Sequence, residues 1–275
     1  MKFITFVLLS LIFSTPVYST DIINRLKNEF IVFDEMRFKN KPNLNHLRLE
    51  PIHVIYASEL WHTKKVTAEP DTKHIKKLFI KKINPLNQLI CLDIEHWDYD
   101  QRRAGPKDMK IAMDKYISVI DTIKTVRPEL KIGYYGVPPI RDYFSPVRNR
   151  DPESWLKANK ALTPLANKVD IVFPSLYTFY KSPDEWEKYA LANIQEARKY
   201  GKVVVPFIWP QYHGSNRLRK NDYINGHFWR RQLELMYKHA DGVVIWTPHA
   251  GGNIPWKENA EWWQATKSFL QDKNI

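Results

Sequence analysis

The chain has 275 residues, a formal charge of +12 and one cysteine, Cys91. A chain of this size buries about 70–75% of its unfolded surface and needs no disulfide or metal staple, and a lone cysteine excludes any intrachain disulfide. The positive balance suits a polyanionic partner (nucleic acid, an acidic polysaccharide, a bacterial wall or a lipid surface), unless it only makes a Lys-rich, solubilising coat.

Residues 1–19 carry Lys2, an apolar run from Phe3 to Phe13 and then Val17-Tyr18-Ser19. This is the layout of a secretory signal peptide, too short in its apolar part to span a bilayer. The expectation is a secreted or periplasmic protein, without stable membrane insertion, whose residues 20–275 form one catalytic domain. The absence of disulfides fits a bacterial export route better than an animal one.

Along the rest of the chain, short apolar strands alternate with amphipathic helices. "FIVF" (30–33), "IHVIYA" (52–57), "LICLDIE" (89–95), "KIGYYG" (131–136), "DIVFPSLY" (170–177), "KVVVPFIW" (202–209) and "GVVIWT" (242–247) are nearly continuous in apolar character, as parallel strands covered on both faces should be. The helix after 95 puts Ala112, Tyr116, Val119, Ile120 and Ile123 on one face and stops before Pro128. "DPESWLKANKAL" opens on Asp151-Pro152, and the helix after Ser182-Pro183 has Glu185 for a capping box and Gly201 for its close. This alternation predicts an α/β fold, a (β/α) TIM-type barrel of seven or eight strands, regular or distorted. A doubly wound open sheet is the alternative, but no Gly-rich phosphate loop follows the first strand.

Alternation along 89–95 predicts Cys91, Asp93 and Glu95 on the barrel side and Ile90, Leu92 and Ile94 on the helix side. Two carboxylates about 6–7 Å apart cannot both ionise cheaply, so one should have a raised pKa, as a general acid requires. The simpler alternative is that each pairs with Lys or Arg. Tyr56, Trp97, Tyr134, Tyr135, Tyr177, Trp209, Tyr212 and Trp246 fall at the same strand ends, a collection of rings suited to stacking on sugars. Across the other strand ends Glu59 is the one further acid this reading finds. If it is not used, the nucleophile can be the substrate's own 2-acetamido group, with Glu95 protonating the leaving oxygen and Asp93 orienting the acetamide.

"LDIEHW", "GYYGVPPIRDYF", "FPSLY" and "GVVIW", in this order over roughly residues 50–250, resemble the hyaluronidases of animals and venoms. The resemblance implies a barrel glycosidase with Glu95 as acid/base and Asp93 as acetamide partner. It further implies Tyr135 and Tyr177 contacting that acetamide and Trp246 flooring the sugar subsite; Trp97 and Tyr56 complete the expected binding set. The family's disulfide cysteine is replaced within "PPIRDY", and its arginine after the Asp-x-Glu-x-Trp is absent. The expected substrate is therefore a β-linked N-acetylhexosamine glycan, hyaluronan-like or related, cleaved with retention.

A peptidoglycan muramidase and a non-catalytic sugar-binding barrel are the alternatives. Nucleic acid is not expected as a partner, because no recognised motif or basic helix accompanies the charge. No His-Glu-x-x-His or cysteine cluster occurs, so neither metal nor cofactor is expected. His213 and His249 read as loop histidines, and Cys91 as a packed interior thiol.

Overall fold

The computed structural model describes residues 21–62, 69–83, 85, 88–248 and 253–275. The expected signal segment and His249 lie outside them. Nine strands follow in chain order: β1 (Ile31–Glu35), β2 (Glu50–Pro51), β3 (His53–Tyr56), β4 (Leu89–Asp93), β5 (Lys131–Tyr134), β6 (Ile171–Val172), β7 (Val203–Val204), β8 (Phe207–Ile208) and β9 (Gly242–Trp246). Every named pairing is parallel.

The strands form three ladders, β2-β1-β9-β8, β3-β4-β5 and β6-β7. Backbone hydrogen bonds outside the ladders join them. The Gly136 N–H donates to the Phe173 carbonyl at 2.9 Å and the Asp170 N–H to the Ile132 carbonyl at 2.8 Å, tying β5 to β6. Between β2 and β3 only Ile52 intervenes, and there the chain changes partner from β1 to β4. Counting β2 with β3 and β7 with β8, the described residues make a distorted barrel of seven strand segments.

Proline explains two of the breaks. Pro174 and Pro206 have no N–H to give a ladder, so "DIVFPSLY" and "KVVVPFIW" yield only two-residue strands. Their carbonyls remain in use: Pro174 accepts from the Phe207 N–H at 2.8 Å, and Pro206 from the Val244 N–H at 2.9 Å. "FIVF" is a full strand that runs two residues further than expected, to Glu35, and pairs with β9 along its whole length.

Side-chain alternation divides the core as the sequence predicts. Phe33, Val54, Cys91, Phe173, Val205, Phe207 and Val244 pack inside the barrel, joined by Ile22 and Leu26 of helix α1 (Ile22–Asn28) at its N-terminal end. Ile90, Leu92 and Ile94 face outward. They meet Tyr116, Val119, Ile120 and Ile123 of the long helix Gln101–Lys124, which kinks at Gly105 (φ 80°) before Pro106. The helix Pro152–Ala161 is capped as expected by Asp151, which accepts from the Ser154 N–H. The helix Pro183–Arg198 departs from expectation at one point: Ser182 holds the cap position, but its side chain makes no capping bond.

Gly133, opposite Cys91 in the β4–β5 ladder, marks the tightest passage between strands. A Cβ there would lie 2.4 Å from the Ile171 carbonyl oxygen and 2.8 Å from the Phe173 ring. Gly133→Ala should therefore destabilise the protein by about 1–3 kcal/mol, read as a lower urea midpoint at unchanged slope.

Candidate active site

Inward positions at the C-terminal ends of the strands change from aliphatic to polar and aromatic. β1 ends in Glu35, β3 in Tyr56, β4 in Asp93 and β9 in Trp246. Tyr135, Tyr177 and Trp209 follow β5, β6 and β8 and belong to the same interior cluster. Tyr177 lies in the middle of them. Its ring stacks on Trp246 (centroids 5.2 Å apart, planes 21°), meets Trp209 edge-on at 5.7 Å and leans on Tyr135 at 5.7 Å. The Trp246 Nε1–H donates to the Tyr56 hydroxyl at 3.1 Å, and the Tyr135 hydroxyl bonds the Ser175 hydroxyl at 2.9 Å. Such hydrogen bonds fix aromatic orientation, giving a stiff floor with hydroxyls directed from its edges.

Asp93 and Glu95 differ sharply in setting. Asp93 sits at the rim of this floor, and burial, then the neighbouring Glu95 charge, pushes its carboxyl up to about 7 against the opposing pull of Arg141. Glu95 stands beyond the end of β4 with its side chain 53% exposed, 3.2 Å from Arg141 Nη2. One partner of the pair is half-buried at the rim, while the other reaches toward solvent with an arginine.

A third inward carboxylate was not found in the sequence. Glu35 is 8% exposed and bound by Arg37 at 2.6 Å, and its carboxyl is raised chiefly by burial. Arg37 also lies over the Tyr56 ring, 5.6 Å from its centroid, and the Tyr56 hydroxyl is pushed up to about 12, mainly by burial. The signal for Glu35 was available: continuing the alternation of Ile31 and Phe33 two residues past "FIVF" places it inside. Glu59 has a different task, accepting the Tyr56 N–H at 3.0 Å at the start of the short helix Ala57–Leu60.

The structure separates three of the expected rings from the rest. Trp97, expected among the sugar-facing rings, packs instead in the helix layer against Trp61 (5.7 Å) and Tyr116 (5.1 Å). It lies beyond the end of β4, where strand alternation no longer governs direction. Tyr134 and Tyr212 also point outward, into the helix layers. His213, read as an ordinary loop residue, stacks on Tyr177 at 6.3 Å and touches Phe179 at 4.4 Å.

No family profile matches the chain, and no curated protein matches it in sequence. Comparison of folds does find neighbours. Bee venom hyaluronidase, solved with a hyaluronic acid tetramer, superposes with a TM-score of 0.65 at 15% identity, over 90% of this chain and 96% of that one. A monoclinic crystal of the bee venom enzyme gives 0.64, also at 15% identity, over 89% and 98%. This chain has a hyaluronidase-like fold. A glucosidase from Croceicoccus marinus follows with a TM-score of 0.51 at 13% identity, over 81% of this chain and 49% of that one. At these identities the likeness concerns the fold.

Proposed function

We propose that the chain is an exported glycoside hydrolase that cleaves a β-linked N-acetylhexosamine glycan, hyaluronan-like or related, with retention. The observation that carries this reading is the pairing of a half-buried carboxyl at about 7, Asp93, with an exposed carboxylate, Glu95, at the edge of a stacked Tyr–Trp floor. A pyranose lying on Trp246 would present its glycosidic oxygen to Glu95, the acid/base. Asp93, Tyr135 and Tyr177 would hold the 2-acetamido group so that its oxygen attacks the anomeric carbon. The other mouth carboxylates have partners: Glu35 is held by Arg37, and Glu59 by the backbone of Tyr56. In this reading the substrate's own amide is the nucleophile.

Glu35 also supports a second reading. As an inward acid on another strand, it could act as a protein base or nucleophile if substrate freed it from Arg37, and the mechanism would then be that of a two-carboxylate muramidase. Incubation with hyaluronan, chondroitin, chitin oligomers and peptidoglycan distinguishes the two. The expected result is new reducing ends from a hexosamine polymer with the β configuration retained. Inverted products, or clearance of peptidoglycan alone, would favour Glu35. Oligosaccharide binding without any reducing ends would leave only a sugar-binding barrel.

The rim bears on substrate charge. Phe144, 49% exposed in the loop after β5, has the guanidinium carbons of Arg148 and Arg150 at 5.8 and 5.6 Å from its ring centroid. Neither arginine has a carboxylate within ion-pair distance among the described residues. An acidic polymer should therefore lose affinity with rising salt far more steeply than a neutral chitin oligomer, and the double variant R148Q/R150Q should flatten that slope. Equal salt slopes for both ligands would reduce the positive charge to a solubilising coat.

A further inference from the structure

Arg141 lies within "GYYGVPPIRDYF" but carries no role assigned from the sequence, yet it reaches the carboxyl pair. It enters on the loop after β5, and that loop is anchored from the opposite side. The next residue, Asp142, accepts from the Phe144 N–H at 2.8 Å, the Ser145 N–H at 2.9 Å, the Ser145 hydroxyl at 2.7 Å and Arg102 Nη1 at 2.6 Å. Arg102 also grips Asp100 at 2.7 Å, in the loop that carries Glu95. The two loops are thus clamped together at Arg102 and again, nearer the floor, at Arg141–Glu95.

The guanidinium of Arg141 lies 5.9 Å from the centroid of the Tyr143 ring, and the hydroxyls of Tyr99 and Tyr135 are close enough to feel its charge. Burial keeps all three phenols above their ordinary range, so they remain neutral. His213, across the mouth, is lowered by burial and by Arg141 itself, so it adds no charge at neutral pH. On the other side of Asp93 stand Tyr56, Tyr177 and Cys91, all raised and neutral. The charges that bear on Asp93 are those of Glu95, which opposes its ionisation, and Arg141, which favours it.

We propose that Arg141 is a positioning residue for the carboxyl pair: it fixes Glu95 over the aromatic floor and sets one positive charge beside the two carboxyls. The role deepens the hydrolase reading, but its primary test does not depend on it. In the ligand-free full chain, the Asp93 carboxyl carbon is titrated by 13C NMR in wild type, R141M and R141K. R141M should move the Asp93 midpoint up by roughly one unit, the size that loss of a nearby opposite charge produces, while R141K should stay close to wild type. On any glycan the protein cleaves, the pH limb that follows Asp93 should shift with it in R141M and not in R141K. A wild-type midpoint in R141M, or in R141Q should R141M fail to fold, would overturn the assignment. A shifted midpoint in a protein that cleaves none of the four polymers would sustain the role of Arg141 and count against the hydrolase.

Discussion

Glu95→Gln should abolish nearly all reducing-end release while leaving oligosaccharide binding close to wild type. The amide keeps the shape of the side chain but has no proton to deliver to the leaving oxygen, a loss commonly of ~10²–10⁴-fold or more. Binding should survive because the floor of Tyr177, Trp246 and Trp209 is assembled by ring stacking and by hydrogen bonds that do not involve Glu95. Calorimetric titration with a chitin oligomer, alongside the turnover assay, separates the two effects. Full turnover in the variant would remove Glu95 from the chemistry.

Asp93→Asn is expected to cripple turnover and to make the protein more stable, and the pH dependence of the second effect identifies its cause. The Asp93 carboxyl titrates at about 7 in the folded chain and at about 3.9 when unfolded. Between these values the folded state binds more protons than the unfolded state. Stability therefore falls as pH rises through that window, by up to roughly 4 kcal/mol in total for this one group. An asparagine carries no such cost, so at pH 8 the variant should melt higher than wild type, and at pH 4 the difference should vanish. A gain of equal size at both pH values would point to packing instead. Turnover should drop because the charge developing on the acetamide loses its partner, and a thiazoline mimic of the cyclised intermediate should bind the variant more weakly. Glu59→Gln is the contrast: the amide oxygen can still accept the Tyr56 N–H, so turnover should stay near wild type. Equal damage from both substitutions would argue against substrate assistance.

Much of the barrel was legible because it depends on short-range pattern. Runs such as "LICLD" and "GVVIW" are apolar on both faces, and the helix containing Tyr116 and Ile120 repeats with the right period. The ladder breaks at Pro174 and Pro206 follow from a missing donor, but their effect on strand length depends on neighbours that the sequence does not identify. At the mouth, strand alternation correctly sent Asp93 inward, but Tyr134 was grouped with Tyr135 among the sugar-facing rings although the same alternation turns it outward. It could not orient Trp97, which lies past the last ladder residue, where local packing against Trp61 decides. Arg141 and Glu35 were missed for different reasons. Glu35 lay within reach of the same alternation had β1 been extended, whereas Arg141 meets Glu95 across 45 residues of intervening chain, a contact that no periodicity encodes.

Cys91 gives this barrel a built-in clock. Its thiol is 0% exposed, sealed between the aliphatic interior and the polar mouth, and burial holds it well above its ordinary pKa, in the unreactive form. A thiol reagent in solution can reach it only when neighbouring strands part, and only a thiolate reacts quickly. Because no second sulfhydryl competes, labelling of the whole chain reports how often this one wall opens, residue by residue history aside. The same position that seats Asp93 at the rim therefore records, without any introduced probe, whether a bound glycan holds the wall closed.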